Sequence, residues 1–426
     1  MISLRRAFSL VRYPLIRTTS TVQTSQLNLH CDGSAIHVSG PSIKSLSLPV
    51  PWLRDSCQCP RCVYPQTEHK LMHTGYFLTS IPSSISLQPD ALAVSWSGPR
   101  EENGHHDSLY PLSFLERYAE STGQIRRASQ FEDVLARKPW DILSYPEPQF
   151  IEYQDFVQDP LPTFLRILKY GFVMFRGVPT EGTELGDVEG STVQNLAEAF
   201  GVVRATRPHK LFAGLAHGSH ASRLLLHIYP ATENIPRFIQ TPPRIQFLHC
   251  IKNQVKGGRT VFVDALKSAH DLWYQDREAF NLLAKTPIPF QFTRFGNNYY
   301  QTHFTFQLAP EQPHSSQDAP PEIEYINYTP SLQAPMPINS PQGIYAALGK
   351  YGDLLARPEV RFEHQLRPGE CVAFDNRRLL HGRSAFSDSS AGEGDTGEIK
   401  RWLKGCYLEW DDLLERTRGL LAKRQS

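Results

Sequence analysis

The most decisive stretch of this 426-residue sequence reads Phe374-Asp375-Asn376-Arg377-Arg378-Leu379-Leu380-His381-Gly382-Arg383. A short apolar strand with Cys371 and Val372 leads into it, and His381 stands one residue before a glycine. Arg401 follows twenty residues after His381, in the segment 399–407, where apolar and polar residues alternate as they do in a strand. The sequence therefore predicts that strands place a histidine and an arginine near the end of a mostly β-type region.

His381 and Arg401 together indicate one kind of chemistry. Non-haem iron oxygenases hold Fe(II) with two histidines and one carboxylate and leave the opposite face of the metal open. An arginine can bind the far carboxylate of 2-oxoglutarate, because a guanidinium matches a carboxylate with two hydrogen bonds. A histidine at a strand end is by itself more often structural, but a buried arginine needs an anionic partner. We therefore interpret His381 as an iron ligand and Arg401 as the residue that binds 2-oxoglutarate.

The other two iron ligands, normally a His-x-Asp or His-x-Glu, are not where this pattern requires them. Among the sixteen histidines, that spacing occurs only at 30–32 and 105–107, and both precede the predicted sheet. Upstream of the strand-like run 244–252, the only acidic residue after position 198 is Glu233, and the nearest suitable histidine is His227. We name His227 and Glu233 as candidate ligands that would have to converge through a loop. Without them, we expect weak Fe(II) binding and weak or absent turnover.

Composition narrows the class of protein. Forty-four basic residues balance forty-three acidic ones, which leaves a formal charge of +1 and no basic stripe for nucleic acid. No apolar run approaches the roughly 18 residues that span a bilayer. Thirty-three prolines and twenty-seven glycines between short Val, Ile, Phe and Tyr runs favour a β-rich α+β protein with many turns. We expect a soluble protein that binds neither nucleic acid nor a membrane.

The beginning of the chain differs in character from the rest. No acidic residue precedes Asp32, and four arginines lie among Ser, Thr, Leu and Val: Arg5, Arg6, Arg12 and Arg17. Starts that are rich in arginine and poor in acids are typical of mitochondrial presequences. We interpret residues 1–26 as such a presequence, with a disordered tail on a cytoplasmic protein as the alternative. Seven cysteines without a secretory apolar segment favour a reducing compartment.

Strand-like and proline-rich segments divide the chain into predicted domains. Residues 27–125 form a small N-terminal domain, 126–148 form a connector limited by prolines, and 149–415 form the larger domain. Helical patterns in the larger domain cover 151–169, 191–200, 266–283 and 338–355. Its strand-like runs are 172–178, 244–252, 259–264, 288–305, 359–364, 370–374 and 400–408.

Cys57-Gln58-Cys59-Pro60-Arg61-Cys62 places three thiols within six residues. The Cys59 and Cys62 pair has the Cys-x-x-Cys spacing of a zinc half-site, and Cys57 can supply a third sulfur. We choose His106 as the fourth ligand, with His69, His73 and His105 as competitors. A closed site of three cysteines and one histidine has no open position, so its role would be structural. The alternative is three reduced thiols in a loop.

Several segments resemble one known family, that of γ-butyrobetaine dioxygenase and trimethyllysine dioxygenase, which are TauD-like oxygenases. The resemblance runs from about residue 27 to 415 and is specific in its last motif. It is found in Trp52-Leu53-Arg54-Asp55 with the cysteines, Gln246-Phe247-Leu248-His249-Cys250, Gly257-Gly258-Arg259-Thr260-Val261-Phe262-Val263-Asp264 and Asp375-Asn376-Arg377-Arg378-Leu379-Leu380-His381-Gly382-Arg383.

This resemblance implies a zinc-binding N-terminal domain and a double-stranded β-helix (jelly-roll) core that binds Fe(II) and 2-oxoglutarate. It implies hydroxylation, with O₂, of a small substrate that has a trimethylammonium group, and it admits ascorbate as an additional cofactor and a homodimer as the assembly. Carried over by position, Cys57, Cys59, Cys62 and His106 match the zinc ligands, while His381 and Arg401 match the iron and 2-oxoglutarate residues. Tyr407 matches an aromatic residue that encloses the trimethylammonium group by cation–π attraction.

The resemblance is interrupted between about Thr206 and Thr241, where the His-x-Asp and several aromatic positions of the family are lost. A misread exon boundary or a loss of function in a divergent copy would each produce such a block. The triple cysteine favours γ-butyrobetaine as substrate, whereas the presequence-like start favours trimethyllysine. A catalytically inactive jelly-roll binding protein and a purely structural zinc protein are the competing hypotheses.

Overall fold

The computed structural model describes residues 28–40, 43–120, 136–145, 150–181, 191–204, 211–216, 240–293, 298–310, 318–384, 386–387 and 401–425. They fall into two compact units that divide between Ser129 and Gln130. Each unit has its own buried apolar core. Within the described ranges, no helix combines the length and the apolar character that a bilayer crossing requires.

The first unit consists of two antiparallel three-stranded meanders, each followed directly by a helix. Its elements are β1 (Asn28–Cys31), β2 (Ala35–Gly40), β3 (Ile43–Pro49), α1 (Val50–Asp55), β4 (Ile81–Leu87), β5 (Ala91–Ser97), β6 (His105–Pro111) and α2 (Leu112–Glu120). Every second residue of β6 is buried, as expected for a strand with one face on a core. Trp96 and Tyr110 fill the centre of that core.

The second unit contains more strands and the longer helices. Its strands are β7 (Phe150–Glu152), β8 (Phe172–Arg176), β9 (Val203–Arg204), β10 (Leu211–Ala216), β11 (Ile245–Asn253), β12 (Lys256–Gly257), β13 (Thr260–Asp264), β14 (Pro287–Phe292), β15 (Tyr299–Phe304), β16 (Phe306–Leu308), β17 (Ile323–Ile326), β18 (Arg361–His364), β19 (Cys371–Asp375), β20 (Leu379–Arg383), β21 (Phe386–Ser387) and β22 (Arg401–Leu408). Its helices are α3 (Tyr153–Gln158), α4 (Leu161–Tyr170), α5 (Thr192–Glu198), α6 (Ala265–Gln275), α7 (Arg277–Lys285), α8 (Ile344–Ala356) and α9 (Trp410–Gln425).

A seven-stranded sheet is the centre of the second unit. Its strand order is β10-β22-β11-β19-β8-β7, and β9 also pairs with β22. All of these pairs are antiparallel except β7 with β8. A smaller antiparallel sheet has the order β18-β13-β20. The chain passes from the large sheet to the small one through the turn between β19 and β20, which is the stretch quoted from the sequence.

The two faces of the large sheet have different neighbours. Ile245 and Phe247 of β11 pack outward in one cluster with residues of α3, α4, α5 and α9. Leu248 and Cys250 pack inward in a second cluster, which includes Phe262 of the small sheet. Alternate residues of one strand therefore point to the helices and to the space between the sheets. We call this the inter-sheet space.

The helices α6, α7 and α8 cover the other face of the small sheet. Phe280 and Tyr351 are fully buried there together with Val263 and Leu380, which point away from the inter-sheet space. The Tyr351 hydroxyl donates a hydrogen bond to the carbonyl oxygen of Ala265, at 2.9 Å. This packing fixes β13 and β20 from outside.

Several predicted elements differ from the structure. The helical pattern over 151–169 is divided into β7, α3 and α4, since Pro160 directly precedes α4 and cannot continue a helix. The run 288–305 is a hairpin of β14 and β15 rather than one strand. The predicted connector also contributes to the second unit, because Trp140 is fully buried in its inter-sheet cluster. Helix α9 continues past the predicted boundary at 415 to Gln425.

Candidate functional site

The cysteine cluster and His106 come together in the first unit. His106 Nε2 lies 3.4 Å from Cys57 Sγ and 3.6 Å from the Sγ atoms of Cys59 and Cys62. A tetrahedral zinc ion with Zn–S bonds of about 2.3 Å and a Zn–N bond of about 2.1 Å places sulfur and nitrogen about 3.6 Å apart. The four side chains are therefore compatible with a structural zinc ion.

The competing histidines are not part of this cluster. His69, His73 and His105 are exposed, whereas His106 is buried. The alternation of β6 explains why His106 rather than His105 reaches the cysteines, because the two histidines point to opposite sides of the strand. Among the described residues, this group of four is the one cluster of three or more side chains that could hold a metal ion.

A buried ion pair lies next to the cysteine cluster. Arg54 donates two hydrogen bonds of 2.7 Å to Glu101, and its Nη1 lies 3.4 Å from Cys62 Sγ. The hydrogen bond between Cys62 and Cys57 lowers the pKa of Cys57 to about 3, and the same contact raises the pKa of Cys62. The lowered pKa of Cys57 favours its thiolate, which is the form that binds a metal.

His381 points into the inter-sheet space of the second unit. It lies in β20 directly opposite Phe262 of β13. Its ring centroid is 4.7 Å from that of Phe374, which belongs to the inner cluster of the large sheet. The imidazole is therefore buried between the two sheets, with an aromatic ring from the large sheet beside it.

Arg401 points into the same space from the large sheet. It begins β22 and shares the face of Leu403, which packs in the inner cluster, while Cys406 packs among the outer helices. Burial raises the pKa of Cys250, whose side chain is also on the inner face, to about 12, and the charge of Arg401 acts in the opposite direction. His381 and Arg401 thus face one space from two different sheets.

Tyr407 belongs to the same inner row of β22. Residues 401, 403, 405 and 407 alternate onto one face of the strand, and Tyr407 is buried. Six residues of extended strand separate Tyr407 from Arg401, which amounts to about 20 Å. A 2-oxoglutarate held at Arg401 and an aromatic contact at Tyr407 would therefore lie towards opposite ends of the inter-sheet space.

Two buried ion pairs in and beside the quoted stretch were not predicted from the sequence. Arg244 donates to Asp375 at 3.1 and 3.0 Å, and Arg378 donates to Asp264 at 3.1 and 2.7 Å. The Asp375 carboxylate also accepts from the backbone N–H of Arg377, at 3.0 Å. These contacts fix the turn that brings His381 into the inter-sheet space. The available signal was the position of each aspartate, because both of them end a strand.

The remaining candidate ligands, His227 and Glu233, lie outside the described residues. The interruption of the family resemblance between Thr206 and Thr241 falls largely on the same part of the chain. The described residues therefore include one of the three predicted iron ligands, His381.

Comparisons with known proteins agree with these features. Residues 148–407 match the family described as taurine catabolism dioxygenase TauD, TfdA family. Residues 27–116 match a family described as gamma-butyrobetaine hydroxylase-like, N-terminal. The first match covers the unit with His381 and Arg401, and the second covers the unit with the cysteine cluster.

Three curated relatives are similar over most of their lengths. A protein named Dioxygenase str8 from Strobilurus tenacellus is 32% identical over 87% of this chain and 85% of its own. Gamma-butyrobetaine dioxygenase from a Pseudomonas species is 27% identical over 86% of this chain and 88% of its own. Trimethyllysine dioxygenase, mitochondrial, from Bos taurus is 26% identical over 87% and 82%, respectively.

Proposed function

The chain belongs to the TauD/TfdA family of dioxygenases, and from this we propose that it hydroxylates a small trimethylammonium compound, with γ-butyrobetaine as the substrate. Fe(II) and 2-oxoglutarate are the metal and the cosubstrate that family membership supports. Two of the relatives are named for γ-butyrobetaine and trimethyllysine, and both of these compounds have a trimethylammonium group.

One structural relationship supports the proposal most strongly. His381 and Arg401 face the inter-sheet space from the small and the large sheet, respectively. The imidazole would supply one ligand to Fe(II), and the guanidinium would hold the far carboxylate of 2-oxoglutarate with two hydrogen bonds. When bound, the iron and the cosubstrate would supply the oxidising chemistry. We further propose that the two facing sheets form a double-stranded β-helix.

The surroundings of His381 and Arg401 would position the reactants and exclude water. Phe262, Phe374 and Leu403 belong to the buried apolar cluster that lines the inter-sheet space, and they form an apolar wall there. Such a wall strengthens the attraction between a guanidinium and a carboxylate, because it lowers the local dielectric constant. At the far end of β22, Tyr407 would contact the trimethylammonium group, which attracts aromatic faces but cannot donate a hydrogen bond.

We propose His227 and Glu233 as the other two iron ligands. Glu233 is the one carboxylate of the sequence between Glu198 and Asp264, so it is the acidic candidate nearest to the expected position. His227→Ala and Glu233→Gln should each weaken Fe(II) binding, whereas His220→Ala, a nearby histidine without an assigned role, should not. Equal Fe(II) binding by all three variants would reject this assignment.

The experiment that tests the function combines metal titration with turnover. Under anaerobic conditions, the full chain with 2-oxoglutarate should develop a visible metal-to-ligand charge-transfer band on addition of Fe(II), and His381→Ala should not. With O₂ and γ-butyrobetaine, the chain should form succinate and a hydroxylated product. Trimethyllysine is the second substrate to test, since the presequence-like start favours it.

Each outcome of these assays selects one hypothesis. Turnover of trimethyllysine but not of γ-butyrobetaine would show that trimethyllysine is the substrate. A charge-transfer band without turnover of either compound would reject both trimethylammonium substrates. Absence of the band in the intact chain would favour the inactive jelly-roll binding protein. The absence of a His-x-Asp at the expected place in the sequence favours that alternative.

We also propose a mitochondrial location, a homodimer and a structural zinc ion at Cys57, Cys59, Cys62 and His106. The bovine relative's name includes the word mitochondrial, and residues 1–26 have the composition of a presequence. A reporter fused behind residues 1–26 should enter mitochondria, while the same fusion with its four arginines changed to glutamine should remain in the cytosol.

Sedimentation equilibrium of the full chain tests the dimer.

A further inference from the structure

Gln246 lies beside the residues already assigned to the site but has no role in the proposed reaction. It is the second residue of β11, on the face of Leu248 and Cys250 and opposite to that of Phe247. Its direct cross-strand neighbours are Phe374 in β19 and Tyr407 in β22. Because Cβ atoms of directly paired residues are about 4.5–5.5 Å apart, Gln246 lies between the ring next to His381 and the aromatic residue of the proposed trimethylammonium site.

Burial of the Gln246 amide in the inter-sheet space costs free energy. The side chain is 1% exposed, and within the described part of the chain its Oε1 has no hydrogen-bond donor. A buried carbonyl oxygen without a donor is unfavourable, and most such groups in proteins are satisfied. A buried amide at such a position indicates that a bound molecule interacts with its oxygen.

The charges of the proposed ligands limit which of them can lie beside the oxygen of Gln246. 2-Oxoglutarate is an acceptor without N–H or O–H donors, so its carboxylates would repel the oxygen. A quaternary ammonium has its positive charge spread over the methyl groups and attracts both aromatic faces and carbonyl oxygens. In the low-dielectric space between the sheets, the dipole of an oriented amide acts strongly on a cation.

We propose that Gln246 is a specificity-determining residue, whose Oε1 faces the trimethylammonium group beside Tyr407. This inference rests on the proposed function. The oxygen makes the site prefer a cation over a neutral group of the same shape. A carboxylate at this position would attract the cation more strongly, but its burial in the absence of substrate would cost far more than that of an amide.

The test compares two ligands of the same shape and different charge. In 5,5-dimethylhexanoate, a carbon atom replaces the nitrogen of γ-butyrobetaine, which removes the positive charge and keeps the outline. Dissociation constants are measured anaerobically by calorimetry, with the full chain, Fe(II) and 2-oxoglutarate. Gln246→Leu should weaken γ-butyrobetaine binding by about 10-fold and change binding of 5,5-dimethylhexanoate, whose tert-butyl end is uncharged, by less than about twofold.

Phe247→Leu is the matched control. Phe247 is the next residue of the same strand and is equally buried, but it packs on the outer face among the helices. Its substitution should leave the ratio of the two affinities unchanged. The dissociation constant of 2-oxoglutarate should stay the same in both variants, which shows that each of them is folded around an intact cosubstrate site.

The possible results separate this inference from the function on which it rests. If Gln246→Leu weakens both ligands equally or neither of them, Gln246 does not select for charge and the inference is wrong, although the function stands. If the unmodified chain binds neither trimethylammonium compound, the proposed function fails and the inference fails with it.

Discussion

Arg378 and Asp264 form a fully buried ion pair between the turn after β19 and the end of β13. Arg378 Nη2 and Nε lie 2.7 and 3.1 Å from the two carboxylate oxygens of Asp264. The guanidinium also donates to the carbonyl oxygens of Lys169 and Lys138, while the carboxylate accepts from the backbone N–H of Trp140. One charge pair therefore joins the predicted connector, the end of α4, the end of β13 and the turn that leads into β20, the strand of His381.

We expect Arg378→Met to destabilise the second unit by about 3–5 kcal/mol, because it leaves the carboxylate of Asp264 buried and without its counter-charge. Urea unfolding, followed by tryptophan fluorescence, measures the loss. Arg424→Met is the control, since Arg424 pairs with Asp159 at the surface and an exposed pair contributes about 0–1 kcal/mol. Equal losses in the two variants would show that burial of the Arg378 pair has no special effect.

Asp276 predicts a pH dependence of stability. Its carboxylate caps α7 by accepting from the backbone N–H of Ala279, at 2.9 Å, and it also pairs with Lys350. The hydrogen bond from Ala279 and the contact with Lys350 lower the pKa of Asp276 below the ordinary 3.8. The folded state thus binds this proton more weakly than the unfolded state, so the contribution is complete above about pH 4 and is lost as the pH falls further.

Asp276→Asn tests this dependence, because asparagine caps a helix nearly as well but does not titrate. We expect the difference in unfolding free energy between the two proteins to be constant near neutral pH and to shrink on acidification below about pH 4. Asp353→Asn, in α8, is a control for the removal of one negative charge. A difference that grows on acidification would contradict the assigned direction.

Removal of zinc should destabilise the first unit selectively. A structural zinc ion contributes directly to folding, and this unit has a small core from six short strands and two helices. We expect the full chain to contain one zinc ion per molecule by elemental analysis, and Cys59→Ser to lose it together with the thermal stability of the first unit. His106→Ala should do the same.

His105→Ala is the control for the zinc site, since His105 is the exposed neighbour of His106 in β6. It should retain the metal, and Co²⁺ substitution should give a tetrahedral spectrum in both the unmodified chain and this variant. If His105→Ala lost the metal and His106→Ala kept it, the ligand assignment would be reversed.

The features that can be predicted from the sequence alone depend on short-range patterns. Three cysteines within six residues supply three of the four zinc ligands, so the site requires only one more. The alternation of β6 places His106 and His105 on opposite sides of the strand. The alternation of β22 likewise predicts that Arg401 and Tyr407 share a face. In each case the periodicity of a strand determines the side-chain direction, whatever the rest of the fold does.

What the sequence did not show depends on contacts between distant segments. Asp264 and Arg378 are 114 positions apart, and only the packing of β13 against β20 brings them together. Gln246 stands within a family motif, but only the folded structure shows that Phe374 and Tyr407 lie on either side of it and that, among the described residues, its Oε1 has no hydrogen-bond donor. Pro160 gave a local signal for the break before α4, and the helical pattern over 151–169 obscured it.

Arg401 gives the most direct test of the proposed cosubstrate site. Arg401→Met removes the charge and should weaken 2-oxoglutarate binding by at least about 100-fold, while Arg401→Lys, which keeps the charge but loses the two-pronged geometry, should weaken it by about 10-fold. Both constants follow from anaerobic titration of the charge-transfer band. The graded order matters, because a residue that acted only through packing would respond alike to two long unbranched replacements. Equal affinities for 2-oxoglutarate in all three proteins would mean that another cation holds the cosubstrate, and Arg401 would then lose its assigned role.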